Sequence, residues 1–302
     1  KICGTGSSIP VKIMDNDDLS NMVDTNDAWI RERTGVEKRH IAESESTVSM
    51  AVEAGRRALA QTGIRPEELD MIVVSTMSPD AVLPCTACEV QKAIGAEGAV
   101  CFDLQAACTG FIFAYNTAQA YIQSNMCRTV LLIGSERLSR LVDWTDRGTC
   151  ILFGDGAGAA VLKAEEGRAY LPVSHSDGKK GEALTCDRYI HMDGRAVFQF
   201  AVTRVPEVIR EVLTKNELIM DDIDYFVLHQ ANRRIVEAVA KRLRQPIEKF
   251  PMNLQEYGNT SSASIPILLD EMNRSGKLKK GQKLIVAGFG AGLSWGASIV
   301  EW

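Results

Sequence analysis

Residues 59–75 read LAQTGIRPEELDMIVVS, the end of a helical pattern followed by an acidic turn and a short apolar strand. Residues 213–229, LTKNELIMDDIDYFVLH, align with this stretch without gaps. A second pair, RTVLLIG at 128–134 and QKLIVAG at 282–288, is separated by the same 154 positions. A helix, a turn and a strand recur by chance in any α/β protein, but two segments with one shared offset favour a duplication.

The rest of the chain alternates amphipathic helices with short, continuous apolar strands, which is typical of a mostly parallel sheet covered on both faces. The predicted helices are 47–61, 109–123, 206–214, 232–243 and 262–272, and the predicted strands are 71–75, 99–104, 130–133, 225–228 and 284–287. The fold class is therefore α/β. We predict two pseudo-symmetric halves of one topology, residues 1–165 and 166–302.

Composition excludes several classes of protein. With 302 residues, 45% of them hydrophobic and 24% charged, the chain can bury a large core. The 34 basic and 39 acidic residues give a net charge of −5, which argues against a general nucleic-acid binder. The longest apolar runs have only the length of a strand, so we expect no membrane-spanning segment and no membrane partner.

Eight cysteines are too few for a disulfide scaffold in a chain of this length, so a reducing, cytoplasmic compartment is expected. The chain begins with Lys1, which leaves open whether a targeting segment has been removed. Without such a segment, we expect a cytoplasmic protein.

Cys108 is the best candidate for a nucleophile. It follows the predicted strand 99–104 and precedes a long amphipathic helix, so its sulfur should lie near a helix N-terminus. The helix dipole and free N–H groups there lower the pKa of a thiol and stabilise an oxyanion. A packed core cysteine is the alternative interpretation.

Two further polar residues occupy positions where α/β proteins place functional groups. His229 ends the strand 225–228, at the edge where open α/β sheets bind ligands, although a hydrogen-bonded core histidine fits as well. Asn259 lies in the turn that opens the helix near Ser262, where helix capping alone would explain it. By the offset of 154, Ser262 corresponds to Cys108, so the two turns should face one another.

The remaining motifs are weaker. Cys85 and Cys88 have the spacing of a redox or zinc pair, but no second pair is present, and a helix-start pair of thiols is favoured. The glycine-rich stretches 154–158 and 288–292 lack the helix and acidic residue of a dinucleotide fingerprint. A basic stretch from Arg233 to Arg244 predicts either a solvated helix face or a docking surface for an anionic partner.

Together these segments resemble the β-ketoacyl-acyl carrier protein synthase III family, initiating condensing enzymes of fatty-acid synthesis with the thiolase fold. The resemblance spans essentially the whole chain. Its motifs are GTG at 4–6, TNDAWI at 25–30, RTG at 33–35, AACTGF at 106–111, DRGT at 146–149, FGDGAG at 153–158, HQAN at 229–232, GNTS at 258–261 and GAGLSWG at 290–296. It implies a layered αβαβα arrangement of the two halves and a homodimer.

The resemblance also implies an acyltransferase with a Cys-His-Asn triad at Cys108, His229 and Asn259. Cys108 would take an acyl group from acyl-CoA, with an oxyanion hole formed by the backbone N–H groups of Cys108 and Ala291. His229 and Asn259 would then stabilise the enolate formed when malonyl-acyl carrier protein loses carbon dioxide. No cofactor and no metal would be needed, since acyl-CoA is a substrate.

Further roles follow from the resemblance alone. Trp29 and Arg147 would sandwich the CoA adenine, and the tunnel to the thiol would be lined by Thr25, Arg33, Arg195 and Asn232. The carrier protein would contact Gln230, Arg234, Lys241 and Arg242. The acyl pocket would be formed by Leu83, Leu138 and Phe153.

This chain departs from the family pattern at three places. Leu83 stands where several members carry a Phe that caps the acyl pocket across the dimer, which predicts a pocket for primers longer or more branched than acetyl. Arg195 stands where the family more often has Asn. The stretch 181–194 is shorter than the usual loop.

Three other functions share parts of this pattern. A secondary-metabolite acyltransferase of the same superfamily would use another acceptor. A cysteine acyl hydrolase would release free acid without malonyl-carrier protein. A non-catalytic binding module would give no reason for three polar groups at strand and helix ends.

Overall fold

The computed structural model describes residues 1–302, which fold into alternating strands and helices. The strands are β1 (Ile2–Ser8), β2 (Ile13–Asp15), β3 (Lys38–His40), β4 (Met71–Ser75), β5 (Val100–Leu104), β6 (Thr129–Glu136), β7 (Gly156–Lys163), β8 (Val173–Ser176), β9 (Leu184–Cys186), β10 (Ile190–Met192), β11 (Tyr225–Leu228), β12 (Lys283–Gly290) and β13 (Ser294–Glu301). The α-helices are α1 (Asn16–Ser20), α2 (Asp27–Thr34), α3 (Thr47–Thr62), α4 (Thr86–Ile94), α5 (Gly110–Gln123), α6 (Arg147–Cys150), α7 (Gly194–Lys215), α8 (Arg233–Leu243), α9 (Leu254–Tyr257) and α10 (Ser264–Arg274).

Two main sheets form the framework. The first has the order β1-β7-β6-β4-β5 and the second the order β11-β12-β13-β8. In the first sheet β4 runs parallel to β5 and β6, whereas β7 is antiparallel to β6 and β1. The second sheet repeats this pattern, with β11 parallel to β12 and the other pairs antiparallel. It lacks only a counterpart of β5.

The helices make three layers around these sheets. α5 and α10 lie between the two sheets, and their side chains Phe111, Ile112, Leu268 and Leu269 are buried in one apolar cluster with residues of both sheets. α3 and α4 cover the outer face of the first sheet, and α7 and α8 cover that of the second. Burial of each large apolar side chain contributes roughly 1.5–3 kcal/mol to the free energy of folding. The predicted αβαβα layering is confirmed.

Most predicted elements agree with the structure, and β4 and β11 begin and end as predicted. The predicted helix start at Pro206 is wrong. The helix begins at Gly194, where the Asp193 carboxylate accepts hydrogen bonds from two backbone N–H groups, and Pro206 lies inside it. Cys85 is the N-cap of α4, with Cys88 in its first turn.

The duplication is visible at two short 3-10 turns, Ala107–Thr109 before α5 and Ser261–Ala263 before α10. Their positions differ by the offset of 154. Each turn begins with a residue in the left-handed region, Ala107 at φ +45° and Ser261 at φ +49°. Because non-glycine residues seldom adopt this conformation, its recurrence at equivalent positions indicates a shared geometry that holds both turns against the centre of the molecule.

Among the helices given above, none combines the length and the apolar character that a membrane-spanning helix needs.

Candidate active site

A cavity of about 480 Å³ is walled by both halves of the chain. The sequence predicted that Cys108, His229 and Asn259 act together, and all three side chains line this cavity, as does Ala291. Most of the other lining residues are apolar. A nucleophile and polar donors inside a largely apolar cleft are the usual composition of a site for a small organic substrate.

Cys108 lies in the turn immediately before α5 and is 8% exposed. Burial raises the pKa of its thiol to about 12, and the Glu136 carboxylate adds to the increase; the nearby Ser261 hydroxyl acts in the opposite direction without completing a hydrogen bond to the thiol. The expectation of a lowered thiol pKa at the helix N-terminus is therefore wrong for the resting protein. The cost of burying a charged sulfur outweighs the helix dipole, so the thiol is protonated at neutral pH.

The end of β12 packs directly against the nucleophile. A side chain at Gly290 would place a Cβ 3.0 Å from both the Cβ and the backbone N of Cys108, closer than an ordinary van der Waals contact. This close approach places Ala291, the next residue, beside the thiol. The backbone N–H groups of Cys108 and Ala291 donate to no protein acceptor. They are thus free to bind an oxyanion.

The hydrogen bonds around His229 fix its protonation. Its Nδ1 is 2.7 Å from the Ser264 hydroxyl, which also accepts the backbone N–H of Gln230. The hydroxyl has no other acceptor within hydrogen-bonding distance, so its proton is assigned to Nδ1 and the imidazole proton to Nε2. Burial lowers the pKa of His229 to about 3. The ring is therefore a neutral hydrogen-bond donor at physiological pH.

Asn259 is held by its neighbours in one orientation. Its Oδ1 accepts the backbone N–H of Ser261 at 2.8 Å, and its backbone pairs with Leu152 and Gly154. The Nδ2 group has no protein acceptor. It is the second neutral donor in the cavity, next to the imidazole.

Trp29 marks one side of the cavity. It lies on α2, whose N-cap Asn26 accepts the backbone N–H of Trp29. The guanidinium of Arg33 lies 4.7 Å and that of Arg147 4.9 Å from the centre of the indole ring. Both guanidinium groups are thus within the distance of a cation–π contact with the indole.

Of the other residues predicted to line the tunnel, some line the cavity and one does not. Arg195, at the start of α7, lines the cavity. Asn232 also lines it and connects two elements, because it caps α8 and its Nδ2 donates to the Arg33 carbonyl. Thr25 does not line the cavity, although its hydroxyl is buried without a partner.

Helix α8 carries the predicted carrier-protein surface. Arg234, Lys241 and Arg242 are exposed and form no ion pair with any acid. The prediction for Gln230 requires correction. Its side chain is 1% exposed, donates to the Leu228 carbonyl and accepts from Asn253, so it stabilises the chain internally and offers no surface to a partner.

The predicted acyl pocket is only partly assembled within one chain. Leu138 and Phe153 are buried and line the cavity beside Cys108. Leu83 does not line it and is 82% exposed on a loop with Val82. A role for Leu83 at a cavity therefore requires a second chain.

Sequence reasoning missed three polar residues around the nucleophile. Ser264 orients His229, Ser261 adds a hydroxyl to the cavity, and the fully buried Glu136, which accepts a hydrogen bond from Ser262, contributes to the raised pKa of the thiol. The serines stand within five positions of Asn259, so that polar turn was their signal. Glu136 ends an apolar strand, a position where the sequence alone suggests exposure.

Comparison with known proteins agrees with this geometry. Residues 102–178 match the family described as 3-oxoacyl-[acyl-carrier-protein (ACP)] synthase III, and residues 213–302 match its C-terminal part. The β-ketoacyl-[acyl-carrier-protein] synthases III of Clostridium novyi and Clostridium acetobutylicum are 47% and 46% identical to this chain, and each alignment covers 100% of this chain and 98% of the relative. The alignments span 319 positions against 302 residues here, so the relatives contain residues that this chain lacks.

Solved structures give the same result. The 3-oxoacyl-[acyl-carrier-protein] synthase III of Aquifex aeolicus has a TM-score of 0.98 at 44% identity and covers 100% of this chain and 99% of its own. The priming β-ketosynthase of the R1128 polyketide pathway has a TM-score of 0.97 at 36% identity and covers 100% and 95%. Relatives this similar over the full length share both fold and family. The chain has the thiolase-like fold and belongs to the 3-oxoacyl-[acyl-carrier-protein] synthase III family.

Proposed function

We propose that this protein condenses an acyl-CoA primer with malonyl-acyl carrier protein, losing carbon dioxide and giving β-ketoacyl-acyl carrier protein, the first elongation step of fatty-acid synthesis. The observation that carries the proposal is the single cavity that combines a cysteine, two neutral hydrogen-bond donors and two free backbone N–H groups. A nucleophile alone would fit many acyl transfers. The additional neutral donors fit a reaction that forms an enolate.

The first half-reaction transfers the acyl group. Cys108 attacks the thioester carbonyl of acyl-CoA, and the backbone N–H groups of Cys108 and Ala291 bind the resulting oxyanion. The tetrahedral intermediate collapses, the C–S bond to CoA breaks and CoA thiolate leaves. The apolar side chains Leu138 and Phe153 then surround the acyl chain.

The second half-reaction forms the carbon–carbon bond. The Nε2–H of His229 and the Nδ2 of Asn259 donate to the thioester carbonyl of the malonyl group. This stabilises the enolate that forms as the bond to carbon dioxide breaks. The carbanion attacks the acyl-Cys108 carbonyl, and the Cys108 thiolate is released. Neutral donors suit this step, because they bind developing negative charge without protonating the carbanion.

The remaining residues bind the two substrates. Trp29 stacks on the CoA adenine, and Arg147 encloses its other face. Arg33, Arg195 and Asn232 line the path to Cys108, and Thr25 supports that path from outside the cavity. The acidic carrier protein docks on Arg234, Lys241 and Arg242, which carry positive charge without acidic partners.

The same proposal assigns a role to each half of the chain, an oligomeric state and a cellular compartment. Residues 1–165 supply the nucleophile, and residues 166–302 supply the two donors. The exposed loop with Leu83 packs against a second chain in a homodimer. The protein acts in the bacterial cytoplasm, or in a plastid if a transit peptide precedes residue 1.

Intact-mass measurement tests the reaction directly. The protein is incubated with a panel of straight and branched acyl-CoAs, with and without malonyl-carrier protein, and C108A serves as the control. We expect an acyl adduct on the wild type only, discharged to a β-ketoacyl product when malonyl-carrier protein is added. Leu83 in place of a larger Phe predicts adducts with primers longer or more branched than acetyl, and acylation that falls steeply beyond acetyl-CoA would contradict this pocket.

Other outcomes would identify another function. An adduct that passes to a different acceptor would indicate a priming enzyme of secondary metabolism. Discharge to free acid without malonyl-carrier protein would indicate a hydrolase. Absence of any adduct would leave a binding protein.

A further inference from the structure

Arg39, on β3, is a cation enclosed within the protein. Its side chain is 0% exposed, and all of its hydrogen bonds go to uncharged oxygens. Its Nη1 donates to the Met14 carbonyl at 3.2 Å and to Asn16 Oδ1 at 2.9 Å, and its Nη2 donates to the Ile151 carbonyl at 2.7 Å. Burial lowers the pKa of Arg39 to about 10, so the guanidinium is still charged at neutral pH. Burying a charge is costly, and here the cost is offset by hydrogen bonds to separate segments of the chain.

The Ile151 carbonyl is the acceptor that leads to the active site. Residues 151–153 line the cavity, and the Ile151 carbonyl accepts no hydrogen bond besides the one from Arg39. An arginine can hold this carbonyl and the acceptors on β2 and α1 at once, because the guanidinium carries five N–H donors in a fixed plane. A lysine would have a single nitrogen for three acceptors in different directions. Arg39 therefore fastens residues 151–153 to β2 and to the start of α1.

The same segment pairs with Asn259. The backbone N–H of Asn259 donates to the Leu152 carbonyl at 2.8 Å, and the Asn259 carbonyl accepts the backbone N–H of Gly154 at 3.1 Å. These two bonds form a short parallel bridge. The stem of Arg39 packs against both sides of it, because a Cβ added at Gly154 would lie 3.1 Å from the Cβ of Arg39, and one added at Gly258 would lie 3.3 Å from it. One side chain thus contacts the bridge and fastens the segment that forms it.

The bridge anchors Asn259 on one side, and the turn before α10 anchors it on the other. Within that turn, Asn259 Oδ1 accepts the backbone N–H of Ser261 at 2.8 Å, and the Ser262 hydroxyl donates to the Ser75 carbonyl at 3.0 Å. A shift of residues 151–154 would therefore move the backbone of Asn259 while the turn after it stays in place. The side-chain Nδ2 would rotate or shift with that backbone and lose its alignment in the cavity.

The other two groups of the proposed triad have anchors of their own. The backbone N–H of His229 donates to β12 at 2.9 Å, and its ring Nδ1 lies 2.7 Å from the Ser264 hydroxyl. Cys108 lies in the turn before α5, against the end of β12. None of these contacts involves Arg39 or residues 151–154. Loss of the Arg39 hydrogen bonds should therefore displace the amide donor of the triad and leave the imidazole and the thiol in place.

We propose that Arg39 is a positioning residue for Asn259: through the Ile151 carbonyl and the bridge at residues 152–154, it sets where the amide Nδ2 donates to the enolate. The proposal rests on the condensing function proposed above and deepens it. Arg39 itself does not line the cavity, so it acts on the reaction only through the residues that it holds. Its effect is confined to the step that uses the amide, the decarboxylation of the malonyl group.

A double-mutant cycle on the decarboxylation of malonyl-carrier protein tests this role. R39M keeps an unbranched stem and removes the donors, and it should lower the maximal rate of carbon dioxide release about tenfold, because small displacements of a reacting group are costly. In the N259A background, which has no amide to position, R39M should change this rate by less than about threefold. In the H229A background it should still cost about tenfold. Acylation of Cys108 at saturating acetyl-CoA should change by less than about threefold in R39M.

Two further variants complete the experiment. R39K keeps the charge with one nitrogen, should lie between wild type and R39M, and carries the same cycle if R39M does not fold. Lys249 also donates to a carbonyl, that of Ile223 at 2.7 Å, outside the cavity, so K249M should leave both rates unchanged. An equal cost of R39M in all backgrounds, or an equal loss of acylation and decarboxylation, would overturn the role of Arg39 alone. A wild-type protein that releases no carbon dioxide would refute the condensing function together with this role.

Discussion

The two halves of the molecule place the same backbone around different chemistry. The turns Ala107–Thr109 and Ser261–Ala263 occupy equivalent positions, and both begin with a residue in the left-handed region. The first presents Cys108 to the cavity. In the second, the equivalent Ser262 turns its hydroxyl away, to the Ser75 carbonyl and the Glu136 carboxylate.

The strand ends differ in the same manner. Ser75 ends β4, and its equivalent His229 follows β11; Glu136 ends β6, and its equivalent Gly290 ends β12. In the first half these positions build the surroundings of a nucleophile. In the second they supply a neutral donor and room for the backbone to approach the thiol. Equivalent positions in the two sheets thus carry different side chains, and in the proposed reaction each half supplies one side of the chemistry.

Exchanging the equivalent residues Cys108 and Ser262 is the strongest test of the different roles proposed for the two halves. C108S combined with S262C moves the thiol to the other turn. Because Ser262 is buried and hydrogen-bonded away from the cavity, the relocated thiol should not be acylated, and we expect a loss of at least about 10³-fold in condensation. Intact mass after incubation with acyl-CoA measures the adduct. An adduct on the relocated thiol would show that the two turns are interchangeable.

The donors of the second half should affect only one half-reaction. H229A and N259A each remove one hydrogen bond to the enolate, which costs about 10²–10³-fold in decarboxylation. Acylation of Cys108 should change by less than about threefold. The two rates are measured separately, by release of carbon dioxide and by intact mass. An equal loss of both would assign these residues to the nucleophile as well.

The protonation of His229 adds a prediction about pH. Its pKa is about 3 in the folded protein and ordinary in the unfolded chain, so only the unfolded chain binds a proton between these values. The contribution of His229 to stability is complete above about pH 6.5 and is lost progressively as the pH falls towards 3. H229F should therefore show a flatter decline of melting temperature over this range. An identical decline in both proteins would indicate a charged imidazole.

The sequence predicted the parts of the site that depend on position along an element. Cys108 at a helix start, His229 at a strand end and Asn259 in a polar turn follow from local patterns, and the family resemblance joined them in one triad and added Ala291. The sequence did not predict the features of the site that depend on contacts between residues far apart in the chain. The buried carboxylate of Glu136 accepts hydrogen bonds from Ser78 and Ser262, which are 58 and 126 positions away. The resemblance placed Gln230 at the carrier-protein surface, whereas its side chain is buried and accepts the backbone N–H of Asn253.

Gly290 is the point where the backbone of the second half contacts the nucleophile of the first. In G290A the added Cβ would lie 3.0 Å from the Cys108 backbone and side chain and must displace them. Displacement of a reacting atom by about 1 Å can cost up to about 10²-fold, and a shift of a few tenths of an ångström should lower acylation by about tenfold. G156A is the matched control, since its Cβ would lie about as close, at 3.1 Å, to the Cδ1 of Ile267, the flexible end of a side chain. Equal rates for the two variants would contradict the proposed oxyanion geometry.

The smallest expected effect concerns the surface helices that cover each sheet. α8 carries the unpaired cations Arg234, Lys241 and Arg242, whereas α4 of the first half carries the single exposed cation Lys92. K241E should raise the KM for malonyl-carrier protein about three- to tenfold at low salt, with kcat and Cys108 acylation unchanged, because an exposed charge mainly steers association. K92E should leave KM unchanged. A KM that responds equally to both substitutions would mean that net charge, and not the surface of α8, attracts the acidic partner.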